Sequence, residues 1–208
     1  MHKAFIFDWS GTLSDNFHLF CKVCALIFTE LGKEPIGPDE IKLNFTLPYM
    51  KFYNKYFPDL TKEKQDALFE KYIHTVGEPE IYKNVKETID YLNKSGFELF
   101  ILSSDPVSKL LPEIEKSGFA GLIKKTTGHV HHKGSVITSF INEFALDKKR
   151  TFYVGDTSGD VEAGKSAGVN TVGISWGFQH KKILSAAKPD YLIDDIVEIR
   201  DIIEKSRF

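Results

Sequence analysis

Cysteine is scarce in this chain of 208 residues, and the two that occur, Cys21 and Cys24, lie three positions apart. A structural zinc site takes four ligands, and neither a second cysteine pair nor a nearby histidine pair supplies the other two. We therefore interpret both thiols as small apolar side chains beneath a helix. The low cysteine content is also typical of a reducing compartment, so the expected localisation is cytoplasmic.

Long apolar runs and an excess of one charge sign are missing too. Every apolar run falls far short of the roughly 20 residues that a membrane-spanning helix needs. The N-terminal run AFIF meets Asp8 too soon for a signal peptide. The formal net charge is only −2, without a basic tail or stripe. We expect neither a membrane nor a nucleic acid as a partner.

Short apolar segments alternate with amphipathic ones along most of the chain. Their length and apolarity are typical of strands buried on both faces of a parallel sheet. Predicted strands cover residues 4–9, 98–103, 122–124, 151–155, 171–175 and 191–193. Predicted helices cover residues 84–95, 106–117, 134–145, 158–167 and 195–205. This alternation predicts an α/β fold with a doubly wound, mainly parallel sheet.

Residues 16–81 interrupt this alternation, because they contain no good strand and many aromatic residues. Helical patterns cover 17–31, 38–57 and 61–75, with chain crossings near 14–16 and 77–82. We predict a small all-helical cap at 16–81, inserted after the first strand. The α/β core would then consist of residues 1–15 and 82–208.

Polar residues follow the predicted strands at their carboxyl ends, where open α/β sheets bind ligands. Asp8 ends the first strand and Ser103 ends the second. Asp156 and Asp160 follow the fourth, and Lys133 begins the helix before it. A carboxylate is a competent nucleophile, and carboxylates from two strands suit Mg²⁺. A lysine offsets negative charge, so the rim is suited to phosphoryl chemistry.

These residues resemble a known family. DWSGTLSD, the Ser that ends an apolar strand, Lys133 and VGDTSGD occur in the order of the four motifs of the haloacid dehalogenase (HAD) superfamily. FYVGDTSGDVEAGKSAGVNTVGISWGF and PDYLIDD resemble its phosphoglycolate-phosphatase-like branch, whose cap follows the first motif. The resemblance implies a Rossmann-like HAD core with Mg²⁺ as cofactor.

The resemblance also implies a nucleophile and a set of metal ligands. Asp8 would attack phosphorus, form an aspartyl-phosphate and bind Mg²⁺. The backbone carbonyl of Ser10 and the carboxylate of Asp156 would complete the protein ligands. Asp160 would bind the metal's water shell or orient Lys133.

Four further residues would hold the transferring phosphoryl group, according to the same resemblance. The Ser103 hydroxyl and the Ser104 amide would bind its oxygens. Lys133 would offset the charge on Asp8 and on the phosphate. Thr12 would shape the turn beneath the phosphate.

Ser10 departs from the family pattern, because phosphatases of this kind usually have an aspartate at that position. That aspartate protonates the leaving group and then activates water, which is worth roughly 10²–10⁴-fold in rate. A serine hydroxyl alone does not do this work. The nucleophile and metal residues are nevertheless all present.

Four functions therefore remain open. The first is a phosphatase with weak activity or with good leaving groups such as acyl phosphates. The second is a phosphonatase-like C–P hydrolase, in which Lys42, Lys51 or Lys55 of the cap would form a Schiff base. The third is a dehalogenase, and the fourth is a phosphoryl-binding or scaffold protein without turnover.

We expect the first of these: a Mg²⁺-dependent phosphoric monoester hydrolase of the HAD type. Its partner would be a small phosphorylated metabolite, cleaved through an aspartyl-phosphate on Asp8. Both a monomer and a homodimer are compatible with the sequence.

Overall fold

The computed structural model describes residues 1–46, 48–130 and 132–205. The described strands are β1 (His2–Phe7), β2 (Ser14–Asp15), β3 (Glu80–Ile81), β4 (Glu98–Leu102), β5 (Ile123–Thr127), β6 (Leu146–Gly155), β7 (Asn170–Ile174) and β8 (Tyr191–Ile193). Six of them form a central sheet with the order β5-β4-β1-β6-β7-β8, in which every neighbouring pair is parallel. This architecture confirms the predicted α/β fold with a mainly parallel sheet.

Helices cover both faces of this sheet and form a separate group beside it. They are α1 (Phe17–Glu30), α2 (Pro38–Asn44), α3 (Met50–Tyr56), α4 (Lys62–Ile73), α5 (Val85–Lys94), α6 (Val107–Ser117), α7 (Lys133–Glu143), α8 (Ser158–Ala167), α9 (Lys181–Ala186) and α10 (Ile199–Lys205). In the described part of the chain, none of them has the length and apolarity required to traverse a bilayer.

Strand β1 explains why the sheet is layered in this way. Its residues alternate between two apolar clusters: Phe5 and Phe7 pack with α5, α6 and α10, whereas Ala4 and Ile6 pack with α7 and α8. All four side chains are fully buried. A strand apolar on both faces is stable only as a central strand, so β1 carries its C-terminal residues to the middle of the sheet edge.

The helical segment, α1 to α4, has an apolar cluster of its own. The single helix predicted at 38–57 is wrong, because α2 ends at Asn44 and α3 begins at Met50. Pro48 lies between them, and proline has no backbone N–H and clashes with a preceding helical turn. The assignment of residues 16–81 as a separate cap domain stays a prediction.

The two crossings between the helical segment and the sheet lie side by side. Strands β2 and β3 pair antiparallel, with Ser14 opposite Ile81 and Asp15 opposite Glu80. The sequence analysis placed crossings there but predicted no strands. This short ladder fixes where the helical segment leaves and rejoins the sheet.

Candidate active site

Three carboxylates converge where β1 and β6 end. The two strands are neighbours, with Phe7 opposite Val154, so Asp8 and Asp156 emerge next to each other. Oxygen atoms of Asp8, Asp156 and Asp160 all lie within 4.8 Å of one another. The side chains are almost completely buried, at 7%, 1% and 2% exposure respectively. The structure therefore brings together the three acidic residues singled out from the sequence.

Lys133 joins this group from the first position of α7. Its Nζ lies 3.0 Å from Asp8 Oδ1 and 2.7 Å from Asp160 Oδ1. A cation at the N-terminus of a helix opposes the helix dipole, and burial alone would lower the pKa of Lys133. The charges of Asp160 and Asp8 outweigh burial and raise this pKa, so the ammonium stays charged.

Asp160 is held by hydrogen bonds on both of its oxygens. Oδ1 accepts from Lys133 and from the Tyr153 hydroxyl at 2.8 Å, and Oδ2 accepts from the N–H and hydroxyl of Thr157 at 3.1 and 2.6 Å. Burial opposes its charge, but Lys133 and these bonds keep the pKa of Asp160 below its usual value. This arrangement favours the second of its two predicted roles, the orientation of Lys133.

The charge balance of this cluster fits a divalent cation. Three buried carboxylates face one ammonium group, so when all three are ionised they carry two more negative charges than Lys133 offsets. Burial raises the pKa of Asp8 well above its usual value and, together with Asp160, raises that of Asp156 to about 7. Buried oxygen ligands with excess negative charge are suited to a divalent cation. The roles of Asp8 and Asp156 as its ligands stay predictions.

The turn after β1 approaches Asp156 closely at Gly11. Its φ is +74°, in the left-handed region, and a Cβ atom there would overlap with the Asp156 carboxylate and the Phe178 ring. Only glycine fits this position without displacing one of them. Phe178 also donates its N–H to Asp156 Oδ2 at 2.6 Å. Asp156 is thus enclosed by backbone on two sides.

Ser10 is hydrogen-bonded to Asp105, a carboxylate to which the sequence analysis assigned no role. Its Oγ donates to Asp105 Oδ2 and accepts from Asn16 Nδ2 at 2.8 Å. Asp105 Oδ1 lies 3.2 Å from Lys109 Nζ. The position where the family usually has an aspartate therefore has a serine that contacts an aspartate from the turn after β4. The predicted role of the Ser10 carbonyl as a metal ligand stays a prediction.

The predicted phosphate-binding residues border the same rim. Ser103 is buried directly after β4, and its Oγ lies 3.1 Å from the Asp105 N–H and 3.4 Å from Asp105 Oδ2. The Ser104 hydroxyl instead donates to the Val130 carbonyl at 2.9 Å, which leaves its amide as the predicted contact. Thr12 is fully buried, and its Oγ1 has no hydrogen-bond partner within the described ranges. Such an orphaned hydroxyl retains a hydrogen bond to donate.

Three contributors to the site were missed from the sequence: Asp105, Asn16 and Phe178. Asp105 lies 95 positions from Ser10 in the sequence, so only the folded structure shows that the two residues are in contact. The one available signal was its place two residues after Ser103, on the same strand end. Phe178 follows β7 and is the last residue of the family-like segment FYVGDTSGDVEAGKSAGVNTVGISWGF, but that resemblance assigned it no role.

Comparison with known proteins assigns the chain to a family. The family model for haloacid dehalogenase-like hydrolases matches residues 5–174. A phosphoglycolate phosphatase of Pasteurella multocida is 26% identical over 60% of this chain, a match that spans 58% of that relative. One from Vibrio parahaemolyticus is 22% identical, over 98% of this chain and 97% of its own. The pyrophosphatase PpaX of Bacillus velezensis is 28% identical, over 96% and 95%.

Solved structures share the fold over nearly the whole length. A predicted phosphoglycolate phosphatase from Haemophilus somnus superposes with a TM-score of 0.78 at 21% identity, over 97% of this chain and 98% of that one. A haloacid dehalogenase-like hydrolase from Streptococcus pneumoniae gives a TM-score of 0.81 at 21% identity, with the same coverage. With the family match over most of the sequence and the acidic rim after β1 and β6, the chain belongs to the haloacid dehalogenase-like hydrolase family.

Proposed function

We propose that this chain is a Mg²⁺-dependent phosphatase that cleaves a small phosphorylated metabolite through an aspartyl-phosphate on Asp8. One observation carries the proposal: Asp8 is a buried carboxylate 3.0 Å from a lysine and within 4.8 Å of two further carboxylates. A structural ion pair would not need the second and third acidic residues, since each uncompensated buried charge is costly.

The names of the relatives support the same reaction class. Phosphoglycolate phosphatases and a pyrophosphatase are among the curated relatives, and all of these act on phosphoryl groups. Their different substrates give no ground for choosing one here. We propose a small substrate because Asp8 is only 7% exposed, beneath the turn that carries Ser10 and Gly11.

The positions of the side chains support the following first half-reaction. A carboxylate oxygen of Asp8 attacks phosphorus, and the bond from phosphorus to the leaving oxygen breaks. Lys133 stabilises the charge that develops, because it already contacts Asp8 and is fixed by Asp160. Asp8 and Asp156 would hold Mg²⁺, whose positive charge would offset the charge of the phosphoryl oxygens. Ser103 and the Ser104 amide would bind the remaining oxygens.

Proton transfer is where this chain departs from its family, and we assign the second transfer to Asp105 acting through Ser10. In the first step, the leaving oxygen takes a proton from water, because Asp105 accepts a hydrogen bond from Ser10 and pairs with Lys109 as a carboxylate. In the second step, water attacks the aspartyl-phosphate, and its proton passes through Ser10 to the Asp105 carboxylate and from there to solvent. Phosphate leaves and the Asp8 carboxylate is regenerated. The hydrogen bond from Ser10 Oγ to Asp105 Oδ2 is the path for this transfer.

Phosphate release from a panel of phosphomonoesters and acyl phosphates tests the proposal. The native protein should turn over with Mg²⁺ and stop with EDTA, and Asp8→Asn should be inactive. Exposed Asp59 provides the matched control, since Asp59→Asn removes a carboxylate far from the rim. A native protein that is inert on every substrate, or an Asp8→Asn variant that keeps its rate, would contradict a phosphatase.

The same substrate panel tests the role of Asp105 independently of whether the protein is a phosphatase. Asp105→Asn should lose roughly 10²–10⁴-fold on alkyl phosphomonoesters, the usual contribution of acid–base catalysis. The loss should be similar on acyl phosphates, because both kinds of substrate give the same aspartyl-phosphate. Adding Ser10→Asp to Asp105→Asn should restore turnover. An undiminished Asp105→Asn enzyme would remove Asp105 from the mechanism but leave Asp8 in place.

A second candidate, C–P bond hydrolysis, is favoured by the surroundings of Lys42. Of the three lysines considered from the sequence, Lys51 and Lys55 are exposed, whereas Lys42 is partly buried. Its Nζ donates to the Trp176 carbonyl at 3.1 Å, next to the loop that encloses Asp156. Burial lowers the pKa of Lys42, which favours the neutral amine that forms a Schiff base.

Borohydride trapping distinguishes this second candidate. With a phosphonate-bearing aldehyde as substrate, a C–P hydrolase should be inactivated by borohydride, and Lys42→Met should abolish both turnover and trapping. A phosphatase should be insensitive to the aldehyde, and Lys42→Met should keep its phosphatase rate within a few fold. Halide release from a haloacid, or metal and phosphate binding without turnover, would instead support the dehalogenase or the non-catalytic function.

A further inference from the structure

The loop of residues 176–180 connects elements of the sheet region but packs against the helical segment. It runs from β7 to α9. Phe178, at its centre, is 8% exposed and is a member of the apolar cluster of the helical segment. Its ring lies 5.3 Å from Phe17, 5.3 Å from Phe20 and 5.0 Å from Phe45, centroid to centroid. All three partners come from the helical segment or its first connection.

Polar contacts tie the same loop to the helical segment at three further points. The Trp176 carbonyl accepts from Lys42 Nζ at 3.1 Å, and the His180 N–H donates to the Lys42 carbonyl at 3.0 Å. Gln179 Nε2 donates to the Phe45 carbonyl at 3.1 Å, and this glutamine is buried. The loop is therefore attached to α2 and to the residue that follows it.

The opposite side of the loop forms hydrogen bonds with Asp156 and Ser158, at the proposed cation site. The Phe178 N–H donates to Asp156 Oδ2 at 2.6 Å, and Gln179 Oε1 accepts from the Ser158 N–H at 2.6 Å. At Gly177 the backbone approaches Asp156 so closely that a Cβ atom would overlap with its carboxylate. One oxygen of Asp156 is thus held by a residue whose ring is anchored in the helical segment.

We infer that Phe178 is a positioning residue for the proposed cation site, through which cation binding and the packing of the helical segment against the sheet are coupled. The inference rests on the proposed function only in taking Asp156 as a cation ligand. When the ring is packed in the helical segment, the Phe178 amide holds Oδ2 and fixes the orientation of the Asp156 carboxylate. When the ring is released, the carboxylate loses this orientation. Because coupling of two equilibria is reciprocal, a bound cation also favours the seated loop.

Mn²⁺ binding to the full chain without substrate tests this inference. The probe is free Mn²⁺ measured by electron paramagnetic resonance, for the native protein, Phe178→Ala and Phe178→Leu. Phe178→Ala keeps the backbone N–H but removes the ring that holds it in place, and loss of an outer partner of a metal ligand typically weakens metal binding 10–100-fold. We expect Phe178→Ala to weaken Mn²⁺ binding at least about 10-fold, and Phe178→Leu, which keeps an apolar anchor, to weaken it much less.

Phe57→Ala is the matched control. Phe57 is 9% exposed in the same cluster, and its ring lies 4.9 Å from that of Phe28, away from the loop. It should lower stability but leave Mn²⁺ affinity unchanged. Equal Mn²⁺ affinities for the native protein and both Phe178 variants, or equal losses in Phe178→Ala and Phe57→Ala, would overturn the inference.

Limited proteolysis of the helical segment gives a second readout. Mn²⁺ should slow cleavage of the native chain and should not slow cleavage of Phe178→Ala, and equal protection of both chains would again overturn the coupling. A native protein that binds no Mn²⁺, or whose binding survives Asp156→Asn, would refute the cation site of the proposed function instead. The two failures are therefore distinguishable.

Discussion

At the scale of single residues, Asp156 makes the stability of the cation-free protein depend on pH. Burial and Asp160 raise its pKa to about 7 in the folded state, from an ordinary value of 3.8. Between these values the folded chain binds a proton that the unfolded chain does not, so the free energy of unfolding falls as pH rises from about 4 to about 7. The slope is at most about 1.4 kcal/mol per pH unit.

Thermal unfolding in EDTA measures this slope. We expect the native Tm to fall by several degrees between pH 5.5 and pH 7.5, since about 1 kcal/mol shifts Tm by roughly 2–4 °C in a chain of this size. Asp156→Asn, which cannot ionise, should show a flatter profile, and Mg²⁺ should restore stability to the native protein at pH 7.5. Parallel profiles for the native protein and Asp156→Asn would contradict this account of Asp156.

The sequence was sufficient to locate residues that directly follow strand ends. It was not sufficient to identify which side chains from different turns contact each other. Asp8 and Asp156 could be found because parallel strands end at one edge and each residue directly follows an apolar run. Asp105 could not be paired with Ser10 in the same way, because a turn's side-chain direction depends on backbone angles that the sequence does not display. The roles of all of these residues stay predictions.

At the scale of elements, the contact of α8 with the sheet depends on Gly164. A Cβ atom there would lie 2.6 Å from Thr171 Cγ2 in β7 and 3.4 Å from Tyr153 Cβ in β6. Alanine is normally better than glycine in a helix by about 1 kcal/mol. Here we expect Gly164→Ala to destabilise the protein by about 1–3 kcal/mol, the usual cost of overpacking.

Gly159 in the same helix supplies the control for this prediction. Its added Cβ would meet Thr157 Oγ1 at 3.6 Å, an ordinary contact, so Gly159→Ala should be neutral or slightly stabilising. Urea unfolding of both variants checks the contrast. A Gly164→Ala protein as stable as the native one would show that α8 can shift away from β7.

Strands with a strong apolar run could be predicted from the sequence. Short helices, which show no clear apolar periodicity, could not. The strong apolar runs of β1, β4 and β7 were placed within two residues of their bounds. Helix α9, of six residues, was missed because so short a segment shows less than two turns of periodicity. The break after Asn44 was missed because apolar spacing was followed through Pro48, which should have ended the helix.

At the scale of the whole molecule, the pairing of β2 with β3 predicts that the helical segment is removable. Ser14 faces Ile81 and Asp15 faces Glu80, so a two-residue Asn-Gly turn could replace residues 16–79 and close a hairpin. We combine this deletion with Phe178→Ser, because the ring would otherwise lose its apolar partners. This tests the predicted division of the chain into a core and a cap.

We expect the shortened chain to unfold in a single cooperative thermal transition at a lower temperature than the native chain. It should also lose activity on small substrates, because the helical segment anchors the loop that holds Asp156. Circular dichroism and phosphate release provide the two readouts. A shortened chain without a cooperative transition would mean that residues 16–81 are an integral part of one domain.

The central claim is that Asp8 becomes covalently phosphorylated. The most direct measurement is to mix the protein with acetyl phosphate and Mg²⁺, quench it with acid, reduce with borohydride and sequence the peptides by mass spectrometry. Borohydride converts an aspartyl-phosphate to homoserine, and we predict this change at position 8 in the native protein, more strongly in Asp105→Asn, and not with EDTA. Phosphate release by the native protein without modification of Asp8 would contradict the account.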